Sequence, residues 1–227
     1  MDMATAKTLV KDLLGERGSY WPDAQLTRLV NQANRLVYRA ICQADPSYFL
    51  TKAVATYPAE GEIDLTATLG ANPYRVSGVS KLKESAVPSS TNTPMALEYV
   101  DIHQDAEPGV KANDPNYQEW GGFSHPRWTL LQDKLQLIPI PSEAVYLYIA
   151  YIAHPTTLSA GANPLLEGKC LEYEDLVVAT CVKLCQSKER GGGVDAEGLY
   201  QWIKDEVRGA ERTGRTDHSK IIYESPY

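Results

Sequence analysis

No apolar run in the 227-residue chain approaches the roughly 18–20 residues that a helix needs to cross a bilayer. The opening MDMATAKTLVKDLLGERG sets charges among its apolar residues and lacks the continuous apolar centre of a signal peptide. The expectation is a soluble protein of the cytoplasm, or of a particle assembled there. Catalytic motifs are missing as well. There is no GxGxxG and no Gly-rich loop with a following Lys; Gly191-Gly-Gly193 has no strand before it and reads as a linker between helices. No GxSxG or HExxH occurs, and His103, His125, His154 and His218 share no metal-ligand spacing. Cysteine is scarce. Cys42, Cys170, Cys181 and Cys185 form no CxxC pair, and the last two sit among Val177, Val178, Val182 and Leu184, the setting of reduced, buried thiols acting as small apolar groups. The expectation is no catalytic residue, no metal and no cofactor.

Positive charge is in short supply. The 22 basic against 29 acidic residues give a net charge of −7, which excludes an extended phosphate-gripping surface but suits a protein standing near DNA without holding it. Lys204, Arg208, Arg212 and Arg215 make a basic stripe, but Asp205, Glu206 and Glu211 interrupt it, so it reads as a solvated face. The acidic run Glu172-Tyr-Glu-Asp175 could imitate a carboxylate site; acids at a helix start more simply answer the helix dipole.

What is present is periodicity. Leu9, Val10, Leu13 and Leu14 mark a first helix, stopped by Gly15 and Gly18. Trp21-Pro22-Asp23 opens a second, with Leu26, Leu29, Val30, Ala33, Leu36, Val37, Ala40 and Ile41 at spacings of three and four, ending before Asp45-Pro46. After Pro155 the helical period returns: Leu165-Leu166 and Glu172-Tyr-Glu-Asp175 open a third helix, expected to be the most central. Asp195 caps a fourth carrying Leu199, Trp202, Ile203, Val207 and Ala210.

Between these helices the period is that of strands. Residues 51–57, 62–65, 74–83, 95–100, 128–131, 135–138 and 145–152 read as short strands, and the Pro-, Gly- and Asn-rich 101–125 as loop. The fold class expected is α+β: an antiparallel bundle of about four helices formed by 1–48 and 156–212, an inserted antiparallel β domain at 49–155, and an extended C-terminal tail at 213–227.

Two stretches look interactive. In 145–152 one face carries Val145, Leu147, Ile149 and Tyr151 and the other Tyr146, Tyr148, Ala150 and Ile152, so neither is polar. Either a second β layer covers the spare face, or another subunit does, at the kind of surface where aromatic residues gather. Tyr146, Tyr148 and Trp128 are therefore the candidates for a subunit or tail interface. The second stretch is the end of the tail, where Lys220, Ile221, Ile222, Tyr223 and Tyr227 are either a fraying terminus or a segment that adds to a neighbouring surface.

Three stretches, WPDAQLTRLVNQANR at 21–35, WTLLQDKLQLIPIP at 128–141 with IAYIAHP at 149–155, and EYEDLVV at 172–178, resemble the head-to-tail adaptor (connector, head-completion) proteins of tailed double-stranded DNA bacteriophages. The resemblance implies a virion structural protein at the neck, assembled in the host cytoplasm. It implies a ring, usually of twelve copies, beneath the portal protein, joined to tail, nozzle or neck proteins, with double-stranded DNA passing through its lumen unbound. It also implies that the C-terminal segment, here 219–227, docks on the portal. A ring needs one patch to bind a different patch on the next copy. Another neck or tail component, such as a tail terminator, is the alternative; a small enzyme with a β insertion would need a pocket with convergent polar groups.

Overall fold

The structure is a computed structural model that describes residues 1–59, 61–70, 73–99, 127–138, 140–159, 164–189 and 195–213, with side-chain surroundings as far as residue 210. The chain divides into two compact units, Met1–Phe49 with Pro155–Tyr227, and Leu50–His154.

The first unit is helical. α1 (Met3–Leu14) begins where the Asp2 carboxylate accepts the Thr5 N–H at 2.8 Å and ends at Gly15, whose φ of 61° suits a residue without Cβ. A 3₁₀ turn, Gly15–Tyr20, folds back so tightly that a Cβ on Gly18 would lie 2.4 Å from the Lys11 carbonyl oxygen. α2 (Asp23–Ala44) buries Leu26, Leu29, Val30, Ala33, Val37, Ala40 and Ile41 along one stripe, the spacing read from the sequence. α4 (Glu174–Glu189) buries Leu176, Val177, Val178, Cys181 and Leu184, and α5 (Ala196–Thr213) buries Ile203, Val207 and Ala210. The Asp195 carboxylate accepts the Gly198 N–H at 2.9 Å and caps α5. α2 and α4 each contact every other helix of this unit. Each fully buried leucine, isoleucine or valine contributes about 1.5–3 kcal/mol. All four cysteines are buried.

The stretch leading into α4 departs from expectation. Leu165-Leu166 does not open a helix: Leu166, Glu167 and Gly168 have φ of 47°, 56° and 69°, a left-handed turn. A further 3₁₀ turn, Leu171–Tyr173, follows before α4 begins. Tertiary hydrogen bonds hold the turn, with the Leu166 N–H donated to Asn34 Oδ1 at 2.9 Å and the Leu165 N–H to the Met1 carbonyl at 2.8 Å. They offset a conformation that ordinary residues avoid.

Among its described residues the second unit carries eight strands in two four-stranded sheets. In chain order they are β1 (Leu50–Tyr57), β2 (Ile63–Asp64), β3 (Pro73–Leu82), β4 (Met95–Ala96), β5 (Glu98–Tyr99), β6 (Arg127–Leu131), β7 (Lys134–Ile138) and β8 (Val145–Ala153). A short α3 (Leu65–Leu69) follows β2. One sheet runs β1-β8-β3-β4 and the other β2-β7-β6-β5. Pairing is antiparallel except for β5 with β6. Leu50 pairs with Ile152 and Tyr57 with Val145, so the two ends of this unit leave from neighbouring backbone.

The α+β class is found: among the described residues there are five α-helices, four in the first unit and one inside the β unit, and two sheets whose one parallel pair departs from the antiparallel domain expected. The stretch expected as one strand at 95–100 is split. Leu97 is buried between β4 and β5, so the chain passes from one sheet to the other there, its N–H donated to the Val79 carbonyl at 2.9 Å. The core common to both sheets contains Ala55, Tyr57, Val79, Leu147 and Ile149 from the first, and Ile63, Trp128, Leu135 and Leu137 from the second.

Candidate functional site

β8 lies inside its sheet, between β1 and β3. Its Leu147, Ile149 and Tyr151 are buried in the core shared with the second sheet. A second β layer therefore covers that face. On the other face Tyr146, Tyr148 and Ala150 are half-buried, and the Lys52 ammonium stands 5.8 Å from the Tyr148 ring centroid. These two tyrosines are the part of the aromatic strand still open to contact.

Trp128 is not open in this way. It is 4% exposed, its indole N–H is donated to the Leu97 carbonyl at 3.2 Å, and its ring meets Tyr99 edge-on with centroids 4.8 Å apart. A large ring at a strand start reads from sequence as surface or core alike; here the indole fills the core and satisfies its donor inside the chain. Trp128 joins the sheets and presents no contact surface. Lys220, Ile221, Ile222, Tyr223 and Tyr227, together with the 101–125 loop and its His103 and His125, lie outside the described residues.

The candidate acids have structural partners. Glu174 is ion-paired to the Met1 ammonium. Glu172 hydrogen-bonds Tyr48, whose phenol is pushed up to about 12 by burial and by that carboxylate. His154 packs edge-on against Tyr74, centroids 5.4 Å apart. Burial likewise pushes the Cys170 thiol up to about 12, and the hydrogen bond that Cys181 donates to Cys185, together with burial, pushes Cys181 up. Thiols held protonated in this way are poor nucleophiles and poor metal ligands. No group of His, Cys, Asp and Glu among the described residues could hold a metal ion. In the basic stripe, Lys204 lies over the Tyr200 ring at 5.2 Å.

Two features escape a reading by periodicity. The first is a pair of buried amides on α2. Asn31 donates to the Leu158 carbonyl at 3.0 Å and to the Thr27 carbonyl at 2.9 Å, and accepts the Leu158 N–H at 2.7 Å. With Asn34 holding Leu166 and Arg35 donating to Thr157 Oγ1 at 3.0 Å, α2 clamps the irregular chain between β8 and α4. The signal in the sequence was two amides three residues apart beside an apolar stripe. The second feature is an open cleft of about 450 Å³ lined by Tyr20, Trp21, Gln25, Arg28, Lys188 and Glu189. The Trp21 indole N–H is donated to Glu189 Oε1 at 2.9 Å, and Arg17 pairs with the same carboxylate at 3.5 Å. Tyr20 is 82% exposed. Adjacent aromatics ahead of the helical period, followed by Arg28, were its signal. Among the described residues no helix is long and apolar enough to cross a membrane.

The surfaces that stand out among the described residues are half-buried tyrosines on a sheet face of the β unit and an aromatic cleft rimmed by charge in the helical unit. No curated protein matches the chain. The family model of the SU10 adaptor protein matches residues 1–216, a span that takes in the β unit, the helical unit as far as residue 216 and the three stretches that resemble phage adaptors, and stops short of Lys220. The chain belongs to the SU10 adaptor protein family, phage adaptors that are structural components of the virion neck.

Proposed function

We propose that the protein is a ring-forming adaptor that docks beneath the portal, joins it to the tail, lines part of the passage for DNA and catalyses no reaction. The family match over residues 1–216 carries this reading. Three features support it. The half-buried faces of Tyr146 and Tyr148 are aromatic surface suited to burial against another chain. The net charge of −7 suits a channel that must not grip phosphates. The terminal Lys220, Ile221, Ile222, Tyr223 and Tyr227 lie past the matched span and form the docking tail in this reading, binding the portal through their apolar and aromatic side chains.

The test is electron microscopy and native mass spectrometry of the protein mixed with portal. Twelve adaptor copies beneath each portal ring are expected, and their loss on deleting residues 219–227. If the full chain never associates with portal, the reading falls. If the deletion leaves portal binding intact and abolishes tail attachment, the chain is a tail-side neck component instead.

A further inference from the structure

The segment between β3 and β4, residues 83–94, is a loop held from within. Asn92 is buried, and its side chain makes four hydrogen bonds across the loop. Its Oδ1 accepts the N–H groups of Lys83 and Glu84 at 2.9 and 3.2 Å, and its Nδ2 donates to the carbonyls of Glu84 and Ala86 at 3.2 and 2.9 Å. Ser89 closes the other side, its Oγ accepting the Asn92 N–H at 3.1 Å. A loop so tied loses little entropy when it docks. Yet it presents Val87 at 74% exposure, next to Pro88 and three residues from the exposed Glu84. The β unit's other exposed large apolar residues, Met95 and Tyr99, follow in the same stretch.

The cleft of the helical unit has the opposite character. Tyr20 and Trp21 offer aromatic surface, and Arg28 and Lys188 at its rim are exposed, with no carboxylate partner among the described residues. Tyrosine, tryptophan and arginine are the residues most enriched where binding energy concentrates, and aromatic-lined grooves take proline-containing segments. Its volume of about 450 Å³ falls in the range of ordinary binding pockets. A nucleic acid fits poorly, because the Glu189 carboxylate lines the same cleft and would face the phosphates.

We propose that the 83–94 loop of one copy docks into the Tyr20–Trp21 cleft of the next, with Val87 and Pro88 on the aromatic rings and Glu84 towards Arg28 and Lys188. Knob and socket are different patches of the chain, one from each unit, so the contact is heterologous and closes into a ring when the rotation between copies allows. The inference rests on the proposed assembly beneath the portal and gives its subunit contact a chemistry.

The test uses the full chain carrying Tyr20→p-benzoylphenylalanine, mixed from isotope-labelled and unlabelled copies, assembled with portal, irradiated and analysed by mass spectrometry. Mixed-isotope crosslinks between residue 20 and residues 83–94 are expected. Crosslinks only to portal, to another peptide, or within one copy overturn the proposal. A second arm measures copies per portal for Val87→Asp and for the pair Arg28→Glu with Lys188→Glu. These positions are exposed, so circular dichroism should match the unsubstituted chain. A drop of at least tenfold in complete rings, with single copies still binding portal, is expected. Complete rings at the original yield refute the docking contact and leave the neck assignment standing. If the unsubstituted chain fails to bind portal, the neck assignment itself falls and takes the contact with it.

Discussion

The helical and β units solve the same problem with different polar chemistry. In the helical unit, buried polar side chains serve the irregular chain: Asn31 and Asn34 supply the hydrogen bonds that residues 158 and 166 cannot find in a helix or strand. In the β unit, apart from Asn92 inside its own loop, they tie one sheet to the other. The Trp128 indole binds the carbonyl where the chain changes sheets, and the Tyr57 hydroxyl accepts the Leu137 N–H at 3.2 Å from the opposite sheet. Helices close their own backbone bonds, so what needs help is the linker. Sheets leave edges and crossings, so what needs help is the junction.

Removing a polar group should therefore damage the two units differently. The largest effect is expected from Trp128→Ala, about 3–5 kcal/mol of stability, because it empties a core site and strands the Leu97 carbonyl. Denaturant unfolding followed by near-ultraviolet circular dichroism measures it, and a change below about 1 kcal/mol would contradict the role given to the indole. Next comes Asn31→Ala, at about 1–3 kcal/mol, since both backbone groups of Leu158 lose their partner. Hydrogen exchange at the Leu158 amide should accelerate ahead of the α2 amides; uniform acceleration argues against a local clamp.

Each unit also keeps one buried hydroxyl with no hydrogen-bond partner among the described residues, Thr129 in β6 and Thr180 in α4. Thr129→Val and Thr180→Val should each stabilise by about 1 kcal/mol, read as an upward shift in Tm. A loss of stability at either would reveal a bonded hydroxyl there. Glu167→Gly should add about 1 kcal/mol by relieving a left-handed residue, and Gln132, with φ of 59°, gives the β unit the same option.

The smallest effect is electrostatic. Hydrogen bonds from Lys7 and Lys11 hold the Asp23 carboxyl at about 2, below its ordinary 3.8. A depressed folded-state pKa stabilises fully above pH 3.8, and that contribution disappears as pH falls through 2. The Asp23 carboxylate is exposed, so Asp23→Asn should lower Tm by only about a degree or two at neutral pH. The difference from the unsubstituted chain should shrink steeply between pH 3.8 and 2 and vanish only below 2. A gap that persists there assigns the effect to something other than this ion pair.

Legibility followed the range of the interaction. α2, α4, α5 and the long strands β1, β3 and β8 announce themselves because their spacing is local. The split at Leu97 does not, since two strands of two residues have no period to read and their sheet membership is decided by Val79 and Trp128 far along the chain. Leu165-Leu166 misleads for a related reason. Apolar residues ahead of acids resemble a helix start, and the Asn34 amide and the Met1 carbonyl, both more than a hundred positions away, select the left-handed turn. Among the candidate contact residues, alternation placed Tyr146 and Tyr148 on the more open face of β8, but composition could not sort Trp128 into the core. Trp21 read as a helix-start marker because its partner, Glu189, is distant in sequence.

The pairing of Leu50 with Ile152 makes the β unit a cassette. A segment whose first and last residues are bonded neighbours can be lifted out and the cut sealed with a short turn, and one of another size can be grafted at the same seam. Recombination between genes could exchange what sits at this seam while the helices on either side keep their own sequence and packing.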